Sequence, residues 1–230
     1  MTRSSDQIAV YLEIGKHRTL AGALAWPGWL RGGRDEEAAL RALVEYGTRY
    51  ERVLHNAGLS FNVPADSGVL AVVERLEGNT TTDFGAPDVA PSVDAAPLDD
   101  AELRRLQGIL KACWLAFDTA TQAAQGRELR KGPRGGGREP AGIVEHVLGA
   151  EASYLASLGG KLPKQGYEGD PTQAMEQRRK VILDALDAAA RGEFPSVGPR
   201  GGARWTPRYF VRRAAWHILD HAWEIEDRVL

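Results

Sequence analysis

The sequence predicts an α+β protein, and three features carry that prediction. The N-terminal part alternates apolar and polar residues with a period of two, as half-buried strands do. The C-terminal part holds long stretches whose apolar residues recur three and four apart, the spacing of amphipathic helices. Between them, GAPDVAPSVDAAPLDD (85–100) has three prolines and four acids and reads as a linker. The expected layout of the 230 residues is a small β-β-β-α-β domain over 1–84, a linker over 85–98 and a four-helix bundle over 99–230.

The N-terminal elements follow in order. IAVYLEI (8–14) is β-branched and aromatic and predicts a strand. HRTLAGALAW (17–26) is its hairpin partner, and PGWLRGG (27–33) is turn chemistry around a short third strand. Asp35 then caps EEAALRALVEYGTRYERVL, where Ala39, Leu40, Leu43, Val44 and Tyr50 fall at helical spacing. Further strands are predicted at LSFNV (59–63) and VLAVVERL (69–76).

Four long helices are predicted after the linker. The first spans 99–124, with Leu103, Leu106, Leu110, Cys113 and Phe117 on one stripe. The second spans 140–159 and opens on Pro140, a favoured first-turn residue. The third, 171–191, opens on Asp170-Pro171 and carries Met175, Ile182, Leu186 and Ala189 on one side. The fourth, 207–229, has Thr206 as N-cap and Pro207 after it. Each would be roughly 30 Å long at 1.5 Å per residue, and four such helices of equal length indicate a bundle.

Composition narrows the function. An apolar fraction of 43% excludes whole-chain disorder. With 31 acids against 29 bases, the charge balance does not favour nucleic acid as a partner. No apolar run reaches the ~18 residues of a membrane span, and the N-terminus lacks a signal-peptide core. A cytoplasmic protein with no membrane partner is expected, and nothing argues against a homodimer. The single cysteine, Cys113, excludes an intramolecular disulfide and a thiolate-cluster zinc site. It lies on an apolar stripe, where a thiol is inert. Neither a P-loop nor a G-x-S-x-G element occurs.

The histidines carry the chemistry. His17 and His55 lie in the N-terminal part and receive no role. His217 and His221 form H-x-x-x-H, which sets two imidazoles one helical turn apart on one face. That face also holds Phe210, Ala214, Ile218, Ala222, Ile225 and Val229, so both rings point inward. His146 shares its face with Ile143, Val147, Ala150 and Tyr154 and points inward too. An unpaired buried polar group costs about 1–3 kcal/mol, and each imidazole brings a donor and an acceptor. A divalent cation would satisfy the acceptor nitrogens of all three. Three protein ligands with an open position is the pattern of catalytic metal sites, and imidazole suits Zn, Ni or Fe. Glu145, Asp220 and Glu224 are candidates to orient the ligands or to add a fourth. The competing reading is three core histidines hydrogen-bonded to their neighbours.

The segments EHVLGAEASYL (145–155) and RRAAWHILDHAWEIEDRVL (212–230) resemble the DinB/YfiT metalloenzyme superfamily over residues 99–230. The resemblance implies a four-helix bundle in up-down-down-up order, with His146, His217 and His221 as metal ligands. It also implies a reaction with a low-molecular-weight thiol such as mycothiol or bacillithiol, in S-transfer to a small-molecule substrate. PGWLRGGRDEEAALRAL (27–43) is similar to the HicB-like antitoxin fold over residues 8–55. That likeness implies fold rather than antitoxin activity, because no DNA-binding module follows. The base-rich loop 126–140 holds Arg134 and Arg138 near the start of the second bundle helix, where they could receive an anion. The alternative function is a non-catalytic, metal-binding interaction protein whose N-terminal domain engages a partner.

Overall fold

The structure, a computed structural model, describes residues 7–131, 137–163 and 170–230. It is α+β, with a four-stranded mixed sheet followed by helices. Strands β1 (Ile8–Ile14), β2 (Thr19–Ala23) and β3 (Leu30–Gly33) run as an antiparallel meander. Helices α1 (Glu36–Glu45) and α2 (Gly47–His55) follow, then β4 (Leu70–Glu77). The sheet order is β3-β2-β1-β4, with β4 parallel to β1. Parallel neighbours need a long crossover, and the stretch containing α1 and α2 supplies it.

Both faces of the sheet are covered, and the period-two pattern sorts its residues between them. Tyr11, Leu20 and Leu30 on one face form a small cluster with Trp216. Val10, Leu12, Ala21 and Ala23 on the other join the main core. Gly33 ends β3 where the chain turns into α1. A Cβ there would lie 2.4 Å from the Ala39 nitrogen and 2.5 Å from the Ala38 carbonyl carbon, both backbone atoms that cannot swing away. Gly33→Ala is therefore expected to destabilise the protein by about 1–3 kcal/mol, read as a lower midpoint in urea.

Two local expectations need correction. Residues 59–63 form no strand. The apolar character of LSFNV serves side-chain packing instead: Phe61 meets Trp26, Trp29 and Tyr50 edge-on at 5.1, 4.9 and 5.2 Å. The single helix expected after Asp35 is two, parted at Tyr46, which closes α1 and precedes Gly47. There the Tyr46 ring lies under the Arg31 guanidinium at 3.9 Å and against Trp223 at 5.1 Å. A short unexpected helix, α3 (Thr80–Phe84), starts in a capping box made by Asn79 and Thr82.

The four long helices lie where the periodicity puts them: α4 (Asp100–Ala123), α5 (Pro140–Leu158), α6 (Pro171–Ala190) and α7 (Pro207–Arg228). Asp99, Asp170 and Thr206 each accept a backbone N–H at an N-terminus, as their residue types predict. Helix α7 packs against α4, α5 and α6, and 14 of its 22 residues are buried. No helix among the described residues is long and apolar enough to cross a membrane.

One core runs through both parts of the chain. Trp29, Leu43 and Tyr50 belong to the same buried cluster as Leu110, Ile143 and Ile218. Residues 85–98, read from sequence as a linker, contain a 3-10 turn at Ser92–Ala95 and contribute the buried Asp94. Its carboxylate accepts from Arg212 Nε and Nη2 of α7, both at 2.7 Å. The same guanidinium donates to the carbonyls of Ala23 and Leu24 at 3.0 and 3.1 Å. Arg31 and Asp220, 3.0 Å apart, make a second tie from the sheet to α7.

Candidate functional site

The α5–α7 interface brings the three inward histidines together. His146 comes from α5, and His217 and His221 lie one turn apart on α7. Their ring centroids are 4.7 to 5.0 Å apart, and one ligand atom from each lies within 4.8 Å of the others. The Nε2 atoms of His146 and His217 are 3.2 Å apart. His217 is buried, the His221 side chain is 12% exposed and His146 is half-buried.

Electrostatics keep two of these rings neutral. Burial, then the charges of His221 and Arg213, push the protonation of His217 down to about 2. Burial and the Arg138 guanidinium lower His146 as well. A neutral imidazole keeps a lone pair, which a metal ligand requires. Neighbouring ligands about 2.1 Å from a tetrahedral ion lie about 3.4 Å apart, close to the Nε2 separation seen here. His221 Nδ1 is 2.8 Å from Glu224 Oε2, which leaves its Nε2 for the cluster. The three residues could therefore hold a divalent transition metal. The His146–His217 contact itself is of N–H···N type, and His217 Nδ1, the ring nitrogen not in that contact, is buried with no hydrogen-bond partner among the described residues.

The acidic candidates separate. Glu224 sits behind His221 and also accepts from Arg228 Nη1, so it fixes the ring from outside. Asp220 turns away to pair with Arg31. Glu145 is exposed and lines a shallow groove with Leu148, Ala152 and Arg178, on the side of α5 that meets α6. The reason is rotation: successive helical residues point about 100° apart, so a neighbour in sequence to His146 or His221 faces elsewhere. Arg138 lies near enough for its charge to act on His146 and His217, while its carbonyl accepts from Arg228 Nη2 at 3.1 Å. Arg134 lies outside the described residues.

Sequence reasoning did not assign the wall beside the histidines. Tyr154 of α5 meets His217 edge-on at 5.7 Å and Trp205 at 5.1 Å. Trp205 in turn contacts Tyr209 at 4.9 Å. Arg213 lies over the rings of Tyr154 and Trp216 at 5.2 and 4.8 Å. The available signal was spacing: Tyr209, Arg213, His217 and His221 recur every fourth residue along one side of α7.

Comparisons with family models, with curated proteins and with solved structures found no match. The functional reading therefore stands on the geometry and on the motifs.

Proposed function

We propose that the chain is a metal-dependent enzyme of the DinB/YfiT type, acting on a small molecule together with a low-molecular-weight thiol. The observation that carries this reading is the convergence of His146, His217 and His221, one ligand atom from each within 4.8 Å of the others. The ion would be Zn, Ni or Fe, since imidazole serves all three. When bound, it supplies a positive centre that lowers the pKa of a thiol and favours the thiolate nucleophile. The chain's own residues do the rest. Glu224 orients His221, burial keeps His217 unprotonated, and Tyr154 and Trp216 place ring surfaces beside His217.

The finer architecture belongs to the same proposal. Long helices α4 to α7, with histidines on α5 and α7, support a DinB-like bundle. The β1–β2 hairpin, third strand and α1 support a HicB-like unit over residues 8–55.

Elemental analysis of untagged protein tests the reading. The expected result is stoichiometric transition metal, absent from His217→Ala, with thiol consumption in the presence of an electrophile that follows the metal content. A metal-free wild type that takes up no Zn, Ni or Fe on reconstitution would remove the proposal. Glu224→Gln removes the negative charge behind His221 and should weaken metal retention about 10–100-fold, measured by competition with a chromogenic chelator.

A further inference from the structure

Arg213 differs from the other arginines of α7. It is 9% exposed, and its Nη1 is buried with no hydrogen-bond partner among the described residues. Arg212, Arg208 and Arg228 have Asp94, Glu102 and Glu224 respectively. Arg213 makes no ion pair among the described residues; its guanidinium lies over the faces of Tyr154 and Trp216, and its charge also acts on Tyr209, where the acid felt most is Asp88, not in contact with the guanidinium. Ring faces attract a cation, but they do not replace the two acceptors that a guanidinium fork presents itself to. A buried guanidinium that no carboxylate contacts is disfavoured. A fork so placed has room in its bonding for an anion that arrives from outside.

The position says where that anion goes. Arg213 precedes His217 by one turn on the same side of α7, an axial rise of about 6 Å. Tyr154 touches both, with its ring against the guanidinium and edge-on to the imidazole. A molecule held at the histidines would therefore reach Arg213 with a group about 6 Å from its reacting atom.

We propose that Arg213 recognises a carboxylate on the small molecule that reacts at the three histidines; this rests on the metal-dependent reading above. A carboxylate is planar, carries one negative charge and matches the guanidinium fork. A phosphate dianion would need a second buried cation. The other buried guanidinium of α7, Arg212, is committed to Asp94.

The test is thermal unfolding of the full chain in tens of millimolar sodium propionate against sodium chloride of equal ionic strength, with propionamide as the uncharged control. Propionate, and not propionamide, should raise the wild-type midpoint by about 3 °C or more. Arg213→Gln should lose that rise, and Arg213→Lys, which keeps the charge but not the fork, should keep part of it. No selective rise in the wild type overturns the proposal, as does a full rise in Arg213→Gln. His217→Ala separates the two readings. If the rise survives in His217→Ala and vanishes in Arg213→Gln, the carboxylate site stands whatever the metal content. If it vanishes in His217→Ala and survives in Arg213→Gln, the anion goes to the metal and Arg213 is not its partner.

Discussion

Asp94→Ala is expected to lower folding stability by about 3–5 kcal/mol, the cost of stranding a buried cation. The Asp94 side chain is 1% exposed and that of Arg212 is 6% exposed. Their two parallel hydrogen bonds, each 2.7 Å, are the bidentate geometry that makes guanidinium–carboxylate pairs strong. Without Asp94, two carbonyls remain to Arg212, and neither carries charge. Equilibrium urea unfolding of wild type, Asp94→Ala and the double variant Asp94→Leu/Arg212→Met provides the check. The double variant should recover most of the loss, because replacing both members of a buried pair with apolar residues is often close to neutral. A loss below about 1 kcal/mol in Asp94→Ala would mean that water reaches the guanidinium and the pair is not buried in solution.

His217→Ala should bind no metal while keeping the fold. The imidazole it removes is held neutral by burial and has an unpartnered Nδ1, so its contribution to the metal-free protein is small. In chelator, the variant and wild type are expected to unfold within about 1–2 kcal/mol of each other. Added metal should then separate them. An ion bound only to the folded state stabilises it by about 4.1 kcal/mol at a thousand times its dissociation constant. Wild type should gain on that scale and the variant should not. Equal gains would place the ion elsewhere on the protein.

Much of this was legible in the sequence, for identifiable reasons. Three of the long helices announce themselves twice, by apolar spacing and by Asp or Thr ahead of proline or an acidic turn, while α5 has its spacing and Pro140 alone. The three histidines were legible because each shares a helix face with apolar residues. Other features were not. Asp94 is one acid in a proline-rich stretch, and its partner lies 118 residues away. Arg212 and Arg213 are indistinguishable as letters, yet the turn between them sends one toward the sheet and the other toward α5. LSFNV has the composition of a strand, but composition does not say whether an apolar run pairs its backbone or lends its side chains. Asp220 and Glu145 were selected by proximity along the chain, which on a helix is a poor guide to proximity in space.

The burial of α7 has a consequence for how such a protein can change over generations. A helix that answers to the sheet on one side, to α4 on another and to the histidine cluster on a third has few positions left where drift goes unpunished. Compensation there demands simultaneous changes in two or three distant segments. Substitutions at the buried Tyr209, Arg212, Arg213, Trp216 and His217 are thus expected to cost more than those on the exposed surface of α6.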